Sequence, residues 1–190
     1  MDEIKIGKQI WMKRNLDVDT FRNGDAIPQA KTDAEWRRAG EQGKPAWCYY
    51  ENAGLYGEKY GKLYNWFAVN DLRGLAPEGW HVPSDNEWTT LTTFLGGESV
   101  AGGKMKSTGT SLWQSPNTAA TNSIGFTALP GGYRNGNGTF NFIGSAGHWW
   151  FSSEFNTVNA WGFVVVSSHG SALRGNLNKE VGFSVRCLKD

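Results

Sequence analysis

The sequence of 190 residues has almost no excess charge and no long apolar run. Nineteen Lys and Arg residues balance 18 Asp and Glu, which leaves a net charge of +1 at pH 7 without a basic stripe. Phosphate binding needs a concentrated positive field, so this balance argues against nucleic acid as a partner. No apolar segment approaches the roughly 18 residues of a membrane span, which argues against insertion into a membrane.

Cysteine is scarce, with only Cys48 and Cys187 in the chain. A disulfide between them would tie the C-terminal strand to the first third of the fold. Two buried free thiols are the alternative interpretation, and the cysteine count does not decide between the two. The redox compartment therefore stays open at this point.

Glycine and tryptophan are abundant, with 25 and 10 residues, while only 19% of the residues are charged. This composition is typical of turns and irregular loops packed around large aromatic rings. The length suits one domain over residues 1–190, which can bury a core without metals or many disulfides.

Three local patterns in the first half of the chain predict regular elements. Isoleucines alternate with polar residues over 4–10 and indicate an N-terminal hairpin. A capping box at Thr32–Glu35 predicts a short helix that ends near Gly40. A second capping box at Ser84–Glu87 predicts the clearest helix, which ends at Gly96. One face of that helix is apolar: Trp88, Leu91 and Leu95.

After Gly97 the sequence consists of short apolar pieces between Gly, Asn, Ser and Pro, which favours strands and long loops. The residues 135–138, "NGNG", predict a hairpin turn. Trp149 and Trp150 are adjacent, so in a strand their rings point to opposite faces, one into the core and one under a loop or at a contact surface. The runs "AWGFVVV" and "GFSVRCL" are predicted to be the last two strands and antiparallel neighbours.

Six stretches form a combined pattern along nearly the whole chain. They are "IGKQIWMKRNL" (6–16), "YGKLYNWFAV" (60–69), "APEGWHVPSDNEWTTL" (76–91), "LPGGYR" (129–134), "HWWFSSE" (148–154) and "GFSVRCLKD" (182–190). Together they resemble the Fibrobacter succinogenes major paralogous domain family, which is similar to the formylglycine-generating-enzyme branch of the C-type-lectin-like fold. The resemblance implies an α+β domain with a small twisted antiparallel sheet, two or more helices, long loops, and adjacent N- and C-terminal strands.

The resemblance also implies a non-catalytic recognition role. Similar modules sit on secreted or surface proteins of bacteria, and some domains of this fold are ligand-binding proteins whose C-terminal segment is diversified by retroelements. We therefore expect a variable protein of a bacterial surface or phage, extracellular or on a virion, with a protein or glycan ligand. The candidate ligand-binding residues lie between 155 and 179: Phe155, Asn156, Asn159, Trp161, Ser168, His169, Ser171, Arg174, Asn176 and Asn178.

Three alternatives remain beside this interpretation. The polar segment is also compatible with an ordinary solvated hairpin loop. A non-variable carbohydrate-binding or adhesive domain would use exposed tryptophan rings on sugar faces. A formylglycine-generating oxidase is the third function, but it would need two reactive cysteines close together, and neither cysteine lies in a segment similar to that enzyme's active-site pair.

The sequence indicates no metal or cofactor site. The triplets with which lectins of this fold bind calcium and sugar are absent, and residues 159–163 read "NAWGF" instead. His81, His148 and His169 show no metal-ligand spacing. We expect His81 in the core or at a helix start, whereas His148 and His169 could contact a partner. No nucleophile or nucleotide motif is present. Residues 1–16 contain no export signal, so we expect either that the protein is made without one or that the sequence begins after one.

Overall fold

The computed structural model describes residues 2–190 and has the α+β architecture that the sequence predicts. Within these residues, the helices are α1 (Asp33–Glu41), α2 (Gly54–Tyr60), α3 (Trp66–Val69), α4 (Asp85–Phe94) and α5 (Glu98–Met105). The strands are β1 (Glu3–Ile6), β2 (Gln9–Met12), β3 (Trp47–Cys48), β4 (Leu63–Tyr64), β5 (Trp80–His81), β6 (Gly131–Arg134), β7 (Phe140–Ile143), β8 (Ala146–Glu154), β9 (Asn159–Val166), β10 (Ala172–Asn178) and β11 (Leu188–Lys189).

The strands of residues 2–190 form one sheet of five strands and two smaller sheets. The large sheet has the order β10-β9-β8-β6-β7 and is antiparallel except for the parallel pair of β6 and β8. A four-stranded sheet has the order β1-β2-β11-β5, and β3 pairs with β4. Leu188 of β11 lies opposite Trp11 of β2, which confirms that the N- and C-terminal strands are adjacent.

The local predictions in the first half are confirmed. The strands β1 and β2 form the N-terminal hairpin, and Gly7 in its turn has φ +61°, where a side chain would strain the backbone. Both capping boxes are present, at the starts of α1 and α4. On α4, Trp88 and Leu91 are buried, as is Leu95 directly after the helix. The strands β6 and β7 form the hairpin predicted around residues 135–138.

Of the two strands predicted last, "AWGFVVV" is confirmed as β9, whereas the prediction that "GFSVRCL" forms its antiparallel neighbour was wrong. The strand β9 pairs with β10 and β8, and the segment 181–187 is an irregular buried stretch. Its main chain bonds to several elements: Phe183 N–H donates to Tyr64 O, and Ser184 N–H donates to His148 O (both 3.1 Å). Because these carbonyls belong to different strands, the segment passes between the sheets and does not extend one of them. The polar residues 172–178 form the neighbouring strand β10 instead.

Trp149 and Trp150 do point to opposite faces of β8, and both are completely buried. Trp149 stacks on Phe163, with ring centroids 4.9 Å apart, in the cluster beneath α4. Trp150 packs on Phe183 at 4.4 Å in a second cluster on the other face. The large sheet therefore has an apolar core on each side, which requires both rings and leaves neither as a contact surface.

Candidate ligand-binding surface

The predicted binding segment forms two antiparallel strands and the turns at their ends, and it is not one loop. In the register of β9 and β10, Arg174 lies opposite Phe163, Asn176 opposite Trp161, and Asn178 opposite Asn159. Residues directly opposite one another share a face of the sheet, and residues two apart on one strand do so as well. Five of the ten predicted residues therefore lie on one face: Asn159, Trp161, Arg174, Asn176 and Asn178.

Phe155 joins this group from the turn between β8 and β9. Its ring meets Trp161 edge to face, with centroids 4.9 Å apart, and the side chain is 47% exposed. We call these six residues the sheet-face patch: Phe155, Asn159, Trp161, Arg174, Asn176 and Asn178. Farther along the same face, Phe163, Val165 and Ala172 are buried in the cluster that contains α4 and α5 residues. The patch is thus the uncovered continuation of a buried surface.

Trp161 is fixed within the patch by a neighbouring guanidinium. The Arg174 Cζ atom lies 3.6 Å from the centroid of the Trp161 ring. Arg174 Nη2 also donates to Asp85 Oδ2 at 2.7 Å, and Nε donates to the second carboxylate oxygen. Hydrogen bonding to Asp85 raises the pKa of Arg174 further, so this side chain is charged at any physiological pH. The aromatic ring and the cation are therefore held in place before any ligand arrives.

Some of the asparagine side chains stabilise turns, and the others pair with each other across the two strands. Asn156 Oδ1 accepts the main-chain N–H groups of Val158 (2.9 Å) and Asn159 (2.7 Å), and Asn178 Oδ1 accepts that of Glu180. These oxygens stabilise turns. Asn159 Nδ2 donates to Asn176 Oδ1 at 3.1 Å across the two strands. Asn159 and Asn176 therefore form an amide pair at the surface without a turn-capping role.

The structure places Ser168, His169 and Ser171 in the turn between β9 and β10, at the opposite end of these strands from Asn159 and Asn178. The turn begins after Val166, which is seven residues and about 23 Å of extended strand beyond Asn159, whereas Ser171 is three residues from Arg174. Ser168 is exposed, whereas His169 and Ser171 are half-buried. His169 Nδ1 accepts the Ser171 N–H (3.3 Å), and Ser171 Oγ donates to Ser99 O on α5 (3.4 Å). The predicted residues consequently extend from one end of the paired strands β9 and β10 to the other.

Lys106, which the sequence did not indicate, stabilises the turn between β9 and β10 from the protein interior. The residue is completely buried, and its Nζ donates to the carbonyl oxygens of Thr118, Val166 and His169 at 2.8–2.9 Å. Burial lowers the pKa of Lys106 to about 8. These carbonyls lie up to 63 residues away in sequence, so no local pattern could have revealed the contact.

Two further residues near the patch were missed as partners. Asp85 lies in the first turn of α4, where the helix dipole favours an acidic residue, and it also binds Arg174. Val158, in the turn beside Phe155, is 56% exposed and adds apolar surface. The sequence did contain a signal for Val158, because it is an apolar residue between Thr157 and Asn159 in a turn predicted to be polar.

His148 is not available to a partner, contrary to the expectation. It lies on the face of β8 that carries Trp150, between the rings of Tyr133 (5.0 Å) and Phe183 (4.9 Å). Burial lowers the pKa of His148 to about 4, so the imidazole is neutral at pH 7. His81 lies in β5, four residues before α4, and its ring nitrogens contact Glu87 Oε1 in the first turn of that helix (2.8 Å) and Asp190 Oδ1 (2.7 Å).

The cysteines are the two buried free thiols of the alternative interpretation. Cys48 and Cys187 lie in separate apolar clusters and form no disulfide. Burial raises the pKa of each thiol to about 12. Among residues 2–190, no group of three or more His, Cys, Asp and Glu side chains could hold a metal ion. In the same range, no helix has the length and apolar character to cross a bilayer.

A family model described as the Fibrobacter succinogenes major domain matches residues 4–189. The match covers nearly the whole chain, and the protein therefore belongs to this family, as the six sequence stretches predicted. No curated protein and no solved structure matches the chain.

Proposed function

We propose that this domain is a non-catalytic recognition module that binds a protein or glycan ligand through the sheet-face patch. The observation that carries the proposal is the register of β9 and β10, which gathers Asn159, Trp161, Arg174, Asn176 and Asn178 on one face. A partly exposed aromatic ring beside an arginine is the composition of interface hot spots. Asparagine amides add hydrogen bonds that can adapt to different partners.

The proposal extends to the fold relationship and to the location of the protein. We infer a C-type-lectin-like domain related to formylglycine-generating enzymes, displayed on a bacterial cell surface or a virion. The pairing of β2 with β11 supports the relationship, because adjacent terminal strands are what the resemblance implies. A non-catalytic role is supported by the cysteines, since a thiol with a pKa of about 12 supplies almost no thiolate nucleophile at neutral pH.

The adhesive alternative, in which tryptophan rings stack on sugars, has less support from the side chains. Nine of the ten tryptophans are buried, and Trp161 is the remaining one. One face of its ring is covered by Arg174. A sugar would have to displace that guanidinium or stack on Phe155 instead.

The binding experiment is a screen of the purified domain on glycan and protein arrays, followed by affinity measurements on the bound ligands. The double substitution Asn159→Ala and Asn176→Ala, and separately Phe155→Ala, should each weaken binding at least tenfold. Matched controls are Asn70→Ala and Phe94→Ala, because both residues are exposed outside the patch. Unchanged affinity in both patch variants, or equal loss in the controls, would exclude the patch as the binding surface.

Variation of the C-terminal segment has its own test, on the DNA around the coding sequence. The proposal expects a reverse-transcriptase gene nearby and a near-copy of the region encoding residues 155–179 that differs only at adenines. A neighbourhood without both features would leave the non-variable recognition domain as the function.

A further inference from the structure

A cleft of about 560 Å³ lies on a part of the molecule that shares no residue with the sheet-face patch. Its walls come from the segment after β2, the C-terminal end of α2 and residues 127–129. An adjoining cleft of about 520 Å³ continues along residues 12–18 and shares the walls at Arg14 and Asn15. These volumes fall within the range of small-molecule sites.

Arg186 lines this cleft at depth and has no acidic partner among residues 2–190. The side chain is 1% exposed, and its Nη1 donates to Phe126 O at 2.7 Å. Its Nε and Nη2 atoms donate to Asn15 Oδ1 at 3.1 and 2.7 Å. Nη2 can donate two hydrogen bonds and makes this one. All its hydrogen-bond acceptors are neutral oxygens, and burial lowers the pKa of Arg186 to about 9.

The exposed walls of the cleft add further positive charge. Lys13, Arg14 and Lys59 line it with exposed side chains, and none of them forms an ion pair within the described part of the chain. Three carboxylates also line it, but Asp17 is bound by Lys62 Nζ at 2.8 Å. The cleft therefore has four cations and two carboxylates without an ion pair, those of Asp2 and Glu58. The cations are Lys13, Arg14, Lys59 and Arg186. Salt screens the positive electrostatic potential of these side chains only weakly, because the low-dielectric protein interior forms the wall of the cleft.

We propose that this cleft binds a small organic anion, whose carboxylate or phosphate group is held by Lys13, Arg14 and Lys59 above the buried Arg186. Cationic side chains form short, charge-assisted hydrogen bonds with both kinds of group. Asn15 stabilises the arrangement, because its Oδ1 also accepts the Trp149 indole N–H (2.9 Å) and its Nδ2 donates to Tyr60 O (2.8 Å). The site is independent of the proposed recognition surface, so either can fail without the other.

Three probes that share the glucose ring test the proposal by titration calorimetry in low salt. Glucuronate carries a carboxylate, glucose 6-phosphate carries a phosphate, and glucose carries neither. At least one anion should bind at least tenfold more tightly than glucose, and the stronger one identifies the preferred group. Absence of binding by both anions at millimolar concentration, or binding of glucose with equal affinity, would overturn the proposal.

Single substitutions locate the binding in this cleft through the sign of their effect. Lys59→Gln and Arg14→Gln should each weaken anion binding about threefold to tenfold, since each removes one exposed cation. Glu58→Gln should strengthen it, because it removes an opposing charge from the same wall. Lys8→Gln, in the turn between β1 and β2 and outside the cleft, should leave the affinity unchanged. Equal losses in Lys8→Gln and Lys59→Gln would place the binding elsewhere and overturn the assignment.

Discussion

Strands β8 and β10 belong to the same sheet and are separated only by β9, yet their side chains have opposite environments. The first six residues of β8 are all buried, whereas β10 buries only Ala172 at its start. β8 lies between α4 on one face and the segment 181–187 on the other. β10 is an edge strand, and α5 covers only the end near Ala172. Burial therefore follows the elements that cover each strand.

The same comparison applies along a single face. Phe163 and Val165 of β9 lie in the cluster beneath α4 and α5, while Trp161 and Asn159 on the same face extend beyond the helices. A close contact holds α5 over the covered end of this face. A Cβ atom at Gly102 of the helix would come within 2.2 Å of Ser171 O. We infer that side chains in the covered part determine stability, whereas those in the uncovered part are free to contact the ligand of the proposed function.

The largest expected effect is at the covered centre. Trp88→Ala on α4 should lower the free energy of unfolding by about 3 to 5 kcal/mol, as truncation of large core residues does. Trp88 packs against Phe163 at 4.0 Å and Trp11 at 4.7 Å between ring centroids. Urea unfolding monitored by fluorescence measures the change. A cost below about 1 kcal/mol, typical of a surface site, would contradict the assignment of this face as core.

The second prediction concerns pH and the centre of β8. Because the pKa of His148 is lowered from 6.5 to about 4 by burial, the unfolded chain binds a proton between these values and the folded chain does not. The stability is therefore fully present above pH 6.5 and falls as the pH decreases towards 4, by about 3 kcal/mol in total. His148→Phe should remove this part of the pH dependence. Parallel stability curves for the two proteins between pH 4 and 7 would contradict a buried neutral imidazole.

The elements defined by neighbouring residues were predictable from the sequence, and those defined by distant contacts were not. The capping boxes of α1 and α4 and the turn at 135–138 depend on side chains within four residues of one another. The run 181–187 has the alternation of a strand, but its carbonyl and amide partners come from β2, β4, β6, β8 and the segment after β2. The sequence of β10 is typical of a loop, because an edge strand needs few apolar residues.

The candidate site was predictable to a similar extent. Composition and the family resemblance indicated the segment 155–179. The register of β9 and β10 then selected five of its residues, and the contact with Trp161 added Phe155. The separation of Ser168, His169 and Ser171 from those residues depends on the strand length, which the sequence did not reveal because β10 was not predicted.

A smaller effect is expected at the margin of the covered face. Arg174→Gln removes the contacts with Trp161 and Asp85, and should cost about 1 kcal/mol, since a partly exposed ion pair and cation–π contact contribute little in water. Arg174→Lys keeps the charge but loses the planar stacking, so its stability should lie between those of the original protein and Arg174→Gln. A cost of about 3 kcal/mol or more in chemical denaturation would mean that this residue belongs to the core.

The smallest effect on stability is expected for Asn176→Ala, within about 0.5 kcal/mol, because its amide bonds only to Asn159 at the surface. Asn156→Ala is the matched comparison, since this exposed asparagine accepts two main-chain N–H groups in the turn and should cost about 1 kcal/mol. Thermal unfolding of the two variants, measured side by side, separates the roles. If Asn176→Ala destabilised the domain as much as Asn156→Ala, the Asn159–Asn176 pair would be structural, and the uncovered end of the hairpin would lose its proposed freedom to serve binding alone.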